Sequence, residues 1–210
     1  MESFNHWNTL IVVDLQTTGW NDRKDRIVSI GAVDFRNPAR LFHQECRIPM
    51  NSSISPEASR VFQFERRSLF DKNKPAIKST VQDFINWTEV SDLRTLAGQN
   101  PWFDAAFLRE AVNRYHLHWS FGHRHVDLHS IFYARLLQLG RNIPTENGVD
   151  ALSLATILTH IGMEYHAGRH SALTNAKLEA EALSRLIYGK VLFEEYKEYE
   201  VPRFLGGKGV

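Results

Sequence analysis

Thr9-Leu10-Ile11-Val12-Val13-Asp14-Leu15-Gln16-Thr17-Thr18-Gly19 opens with an unbroken apolar run rich in β-branched residues and reaches an acid at Asp14. The run predicts a strand from Thr9 to Asp14. Uninterrupted apolarity implies burial on both faces, as at the centre of a mixed sheet. A carboxylate at the end of such a strand can leave the sheet and meet a ligand. Residues two apart in extended chain share a face, so Asp14 and Gln16 address one site. Thr17 and Thr18 offer hydroxyls, and Gly19 an uncrowded backbone. Taken alone, the segment reads equally well as a strand end followed by a turn.

Working outward, Thr17 to Arg26 is polar and predicts a loop. Ile27 to Phe35 is a second strand, and Leu41 to Ile48 a weaker third. Ser55-Pro56-Glu57 has the order of an N-cap, a first-turn proline and a first-turn acid. Helical periodicity follows over Pro75 to Val90, Phe103 to Tyr115, Val126 to Leu139, Leu152 to Ile161 and Asn175 to Tyr188. A short strand, Leu93 to Ala97, stops at Gly98. This order predicts an α/β fold with a mixed central β-sheet flanked by α-helices. We expect one domain over 1–190 and a charged C-terminal helix or tail over 191–210, frayed at its Gly206-Gly207-Lys208-Gly209 end.

Bulk properties narrow the class. The 210 residues are 43% hydrophobic and 23% charged, and the formal net charge is +1. That suits a substantial core and provides no whole-molecule field for nucleic acid. The single cysteine, Cys46, excludes an internal disulfide or a cysteine-rich zinc module and reads as a strand core residue. Neither a leader-like pattern nor a membrane-length apolar run is present, so a cytoplasmic protein is expected.

Two more segments carry chemistry. Gly98-Gln99-Asn100-Pro101-Trp102-Phe103-Asp104 ends a strand, turns at proline and puts Asp104 in the first turn of a helix. An acid there also suits the helix dipole. His170-Ser171-Ala172-Leu173-Thr174-Asn175 places a loop histidine five residues before a carboxamide at a helix start. Each is weak alone. In this order, with Ile54-Ser55-Pro56-Glu57-Ala58 between them, the three segments resemble the DnaQ-like 3′–5′ exonucleases of the RNase H-like superfamily. Those motifs run roughly Asp-x-Glu-Thr-Thr-Gly, Gly-His-Asn-x-x-Phe-Asp and His-x4-Asp. The resemblance spans about Thr9 to Leu186. Ser171 stands where the tyrosine class needs tyrosine, so the histidine class, DEDDh, is the one resembled.

The resemblance implies hydrolysis of 3′ ends of single-stranded DNA or RNA with two Mg²⁺ or Mn²⁺ ions. It assigns the metal positions to Asp14, Gln16, Asp104 and Asn175, and the general base to His170. Substrate contacts are implied for Leu15, Thr17, Thr18, Gly19, Asn100, Trp102 and Phe103. Three positions depart from the pattern. Gln99 replaces a common histidine, Gln16 replaces glutamate and Asn175 replaces aspartate. An amide offers Mg²⁺ one neutral oxygen, and its NH2 cannot ligate. Coulomb's law at ion contact gives roughly 4 kcal/mol per lost charge even at the dielectric of water. Weak or absent catalysis is therefore expected. Glu179, one turn beyond Asn175 and ~6 Å along the helix, and the loop acids Asp22 and Asp25 are the candidates to compensate. The alternative is a non-catalytic module that holds a nucleic-acid end, or docks a protein through the aromatic tail Tyr196 to Phe204.

Other features are subsidiary. His123, His125 and His129 are conceivable zinc ligands but read as a solvated loop and helix start. Among Trp7, Trp20, Trp87, Trp102 and Trp119, the pair Trp20 and Trp102 adjoin the motifs and are the candidates for base stacking. Arg23, Lys24 and Arg26 form a basic run that reads equally as a phosphate contact and as a solvated face.

Overall fold

β1 (Leu10–Thr17) forms the middle of the sheet because its neighbours differ in direction. It pairs antiparallel with β2 (Ile27–Asp34) and parallel with β4 (Thr95–Gly98). With β3 (Leu41–Glu45) and the two-residue β5 (Val126–Asp127), the sheet order is β3-β2-β1-β4-β5. The computed structural model describes residues 10–91, 94–165 and 170–206. Thr9, Trp7, Leu93 and the Gly207-Lys208-Gly209 end lie outside that set.

The alternation in β1 divides the core. Ile11, Val13 and Leu15 join α2 (Ile77–Thr88) and α3 (Pro101–Tyr115) on one face, around Val81, Phe84, Phe107 and Leu108. Val12 joins the opposite layer, α4 (Leu128–Gln138), α5 (Leu154–His160) and α6 (Ala172–Tyr188), through Phe132, Ile157, Ala176, Ala180 and Leu183. By the period of two, Asp14 and Gln16 follow Val12 onto the α6 side. A helix α1 (Pro56–Phe62), capped by Ser55 accepting from the Ala58 N–H, leads towards α2.

Gly31 fixes how near α6 can come. It pairs with Asp14 across the sheet, and a Cβ on it would lie 2.1 Å from the backbone of Ala172 and Leu173. Only a residue without a side chain allows the first turn of α6 to lie on β2 there.

Several sequence expectations change at the element ends. β1 continues through Leu15, Gln16 and Thr17 because Ile30, Ser29 and Ile27 pair with them. Ladder hydrogen bonding overrides the polar composition of that stretch. Val126 and Asp127 form β5 instead of opening a helix. The Asp127 carboxylate then caps α4, accepting from the His129 and Ser130 N–H groups. α6 begins at Ala172, ahead of Asn175, because Ser171 accepts from the Thr174 N–H as its N-cap. A small hairpin, β6 (Thr145–Glu146) and β7 (Val149–Asp150), was not anticipated. Its Asn147-Gly148 turn has both residues at positive φ, the signature of a tight hairpin.

The segment after α6 packs back on it. Phe193 and Leu205 are buried in the α6-side core. Glu181, fully buried, accepts from the Leu192 and Phe193 N–H groups and from Arg185 Nε at 2.6 Å. Arg185, equally buried, donates on to the carbonyls of Ile161 and Tyr196.

Candidate active site

The pocket is built where β1 and β4 point towards the starts of α3 and α6. β1 supplies Asp14 and Gln16, α3 supplies Asp104, and α6 supplies Asn175 and Glu179. His170 stands just before the Ser171 cap. Hydrogen bonds tie the candidate residues together. Asp104 Oδ1 accepts from the Leu15 N–H at 2.9 Å, locking the start of α3 onto β1. Asn175 Nδ2 donates to Asp14 Oδ2 at 3.4 Å, and Asn175 Oδ1 lies 3.2 Å from His170 Nδ1. Gln16 Nε2 donates to the His170 carbonyl at 2.6 Å. The five residues assigned by motif are thus gathered at one place.

These bonds show what the amides do. With Asn175 Nδ2 committed to a carboxylate, its oxygen faces His170, so Nδ1 must carry the proton for a bond to form. In the neutral ring the basic lone pair is then on Nε2. At position 16, the NH2 holds the His170 backbone against β1. A carboxylate there would meet the carbonyl oxygen as acceptor against acceptor.

Electrostatically the pocket holds two buried acids, Asp104 and Glu179, and the half-buried Asp14. Burial pushes the Asp14 carboxyl up to about 8, opposed by its hydrogen bond from Asn175. Asp104 is raised well above the ordinary carboxylate range, first by burial and then by the charge of Asp14. Glu179, 3% exposed, is raised likewise by burial and then by Asp14 and Asp104. Its placement was the least legible part of the site, because a helical wheel gives a face but no depth. Among the described residues, no three His, Cys, Asp or Glu side chains stand at spacing suited to a metal ion.

The remaining candidates divide. Thr17 Oγ1 donates to the Gly19 carbonyl at 2.7 Å, and Thr18 Oγ1 accepts from the Arg26 N–H at 3.0 Å. Both hydroxyls are buried in the loop and hold its shape. Asp25 is equally committed, accepting from the Asn21 N–H, and a Cβ on Gly19 would strike its carboxylate at 2.3 Å. Gln99 Nε2 donates to the Leu152 carbonyl. Asn100, left-handed at φ 60, starts α3 and donates its N–H to Asp127. Trp20 and Trp102 are 55% and 63% exposed and flank Phe103 at centroid distances of 5.7 and 6.4 Å. Trp87 and Trp119 instead pack on Phe84 and Phe121. His129 pairs with Asp150 at 2.7 Å. Cys46 is buried, and its thiol donates to the Ile27 carbonyl.

A mixed five-stranded sheet between helical layers, with acids converging at the end of its central strand, defines an RNase H-like fold of the DnaQ type. The chain belongs to the exonuclease family whose RNase T model, described as Exonuclease, matches residues 11–183. It is 26% identical over 174 residues to a DNA polymerase III subunit epsilon of Treponema pallidum, covering 83% of this chain and 74% of that protein. It is 24% identical over 180 residues to a PolC-type DNA polymerase III of Thermotoga petrophila, covering 85% of this chain. The chain spans only 12% of that polymerase's length. Among solved structures, the nuclease domain of 3′hExo, a DEDDh family member bound to rAMP, superposes with a TM-score of 0.66 at 13% identity. That match covers 94% of this chain and 98% of that one. E. coli Exonuclease I in complex with a dT13 oligonucleotide gives a TM-score of 0.69 at 18% identity, over 85% of this chain and 41% of that one.

Proposed function

We propose that the pocket receives the 3′ end of a single-stranded nucleic acid and that two-metal hydrolysis there is impaired. The observation that carries this reading is the pair of amides at the assigned metal positions. Asn175 presents an N–H donor to Asp14, and Gln16 presents one to the His170 carbonyl. Two donors turned towards the oxygens around a cation position do not fit a pair of divalent ions. No hydrolytic step through such ions is therefore derived for this chain. The same amides keep the shape of the carboxylates they replace and hold Asp14 and His170 in place by hydrogen bonds.

Strand binding is supported by the mouth of the pocket. Trp20 and Trp102 expose ring faces beside Phe103, and stacking of bases on such platforms does not depend on sequence. Trp102 also borders a cleft of about 340 Å³ lined by Arg23, Arg109 and His125. Arg23 and Arg109 suit the phosphates of an incoming strand, although Asp22 and Glu110 line the same cleft. The tail aromatics Tyr196, Tyr199 and Phe204 pack against the α6-side core, which favours the pocket over the tail as the binding element. The comparison proteins solved with rAMP and with oligonucleotides support the same ligand class.

The test is a nuclease assay with Mn²⁺ on labelled single-stranded DNA and RNA, comparing the chain with Asn175→Asp and with Gln16→Glu plus Asn175→Asp. Faster cutting by the variants is expected, alongside nucleic-acid binding by the unaltered chain in EDTA. Equal cutting rates would defeat the account of the amides, and no binding in EDTA would defeat the pocket reading.

A further inference from the structure

We propose that the cleft beside Trp102 is a base-reading subsite that takes a guanine of the strand upstream of its 3′ end. The inference rests on the strand-binding reading of the pocket and adds a base preference to it.

The cleft lies between the loop after β1, which contributes Asp22 and Arg23, and α3, which contributes Trp102 and Arg109. Its volume of about 340 Å³ falls within the range of small-ligand pockets. Trp102 and Arg109 stand two turns apart on one face of α3, roughly 10 Å along its axis. Helical side chains lean towards the helix N-terminus, so Arg109 inclines towards Trp102. Ala105 and Ala106, between them, keep the floor low.

The walls are tied together, yet their polar groups are unequally spent. Arg114 donates to the Arg23 carbonyl and to Glu110, both at 2.8 Å, which joins the loop to α3 and occupies Glu110. Among the described residues, the side chains of Asp22 and Arg109 have no hydrogen-bond or ion-pair partner. The Arg109 guanidinium lies over the Trp119 ring, 4.8 Å from its centroid. That contact orients it and leaves its N–H groups available. His125, at the same wall, has its ring Nε2 buried without a partner. Unsatisfied polar groups gathered in one cleft call for a ligand.

A phosphate alone does not suit this cleft, because Asp22 repels it. The ligand needs donors for the carboxylate, acceptors for the arginine and a flat face for Trp102. Guanine has all three. Its N1–H and N2 amino group are adjacent donors that match the two oxygens of a carboxylate, and its O6 and N7 match an arginine fork. Adenine and cytosine present one amino group beside an acceptor, and thymine and uracil one N–H between two acceptors. Each of these sets a lone pair against Asp22. With the purine face on Trp102, Asp22 takes the N1 and N2 edge and Arg109 the O6 and N7 edge. Arg23, exposed on the loop, is left for a phosphate.

The test is fluorescence anisotropy in EDTA with an oligothymidine and with the same strand carrying a single guanine at successive positions from its 3′ end. Binding about tenfold tighter is expected at one of those positions. Hypoxanthine, which lacks the N2 amino group, should give a smaller gain there. Asp22→Asn should abolish the guanine gain, whereas loss of a negative charge by itself would tighten every strand alike. Asp22→Glu, which keeps the carboxylate, should retain part of it. Equal binding of all strands, hypoxanthine as good as guanine, or a gain that survives Asp22→Asn would each overturn the proposal. Absence of binding by every strand would sink the strand-binding reading together with this one, while binding without base preference would sink this one alone.

Discussion

Gly31 and Ala172 meet backbone to backbone, close enough that a Cβ on Gly31 would lie 2.1 Å from the Ala172 carbonyl carbon. The contact sits opposite Asp14 in the β1–β2 register. It therefore sets the separation between the acid on the sheet and the amide on α6. Gly31→Ala is expected to push the first turn of α6 outwards. Overpacking of this kind costs about 1–3 kcal/mol, and the thermal midpoint should fall by roughly 2–4 °C per kcal/mol for a chain of this size. Binding at the pocket should weaken with it. An unshifted midpoint would show that α6 is not held by this contact.

A second prediction concerns the buried ion pair behind α6. Glu181 satisfies Arg185 and the Leu192 and Phe193 N–H groups together. Removing one partner of a buried pair strands the other and costs about 3–5 kcal/mol. Glu181→Ala should show that loss in chemical denaturation. The double variant Glu181→Leu plus Arg185→Met should recover much of it. If the double variant is as unstable as the two single losses added, the pair is not acting as a unit.

Acidity gives a third. Asp14 is raised to about 8, and Asp104 and Glu179 shift the same way. An unfolded aspartate titrates near ~3.9. Between those two values the native state holds more protons than the unfolded chain, so stability falls as pH rises. Below the unfolded value the contribution is fully present, and above about 8 the Asp14 part is lost. In EDTA, the thermal midpoint should therefore decline from pH 5 to pH 8, and Asp14→Asn should flatten that decline. A midpoint that climbs over this range would contradict the burial argument.

The exposed tryptophans give a fourth. Trp102→Ala should leave the thermal midpoint nearly unchanged, since most of its ring faces solvent. Fluorescence anisotropy with a single-stranded oligonucleotide in EDTA should show a loss of about 1–3 kcal/mol if one base stacks on it. Trp20→Ala should weaken binding similarly, with a small stability cost from its contacts with Phe62 and Phe103. Undiminished binding in both variants would remove the stacking role.

Much of this molecule could be read from its residues, and the exceptions have physical causes. The apolar run before Asp14 marks the central strand, whereas the helix expected from Asn175 starts one turn earlier, at Ala172, because the local signal of the Ser171 cap precedes its apolar periodicity. Gln16 was expected beyond the strand because polar residues weaken a local strand signal. Its pairing with Ser29 is a long-range fact that no local window contains. Val126 and Asp127 carried too few residues to separate a two-residue strand from a helix start. The hairpin at Asn147-Gly148 does carry a local signal, the Asn-Gly dipeptide, whose positive φ values suit a tight turn. Asp25 was a candidate to compensate for lost charge, but its bond from Asn21 holds it in the loop. Glu179 was legible as a residue on the right face, while its burial depends on Gly98 and on how closely α6 lies against the sheet.

The fastening of α6 by Glu181 and Arg185 has a consequence for the pocket at its other end, roughly 15 Å away at 1.5 Å per residue. A nuclease wall that relied on its ions to stay assembled would slacken once the ligands changed. This helix is clamped from behind by the returning chain, so its leading turn keeps its place whatever the chemistry at positions 16 and 175. Such an arrangement lets the side chains that line the pocket vary without unravelling the helix that carries them.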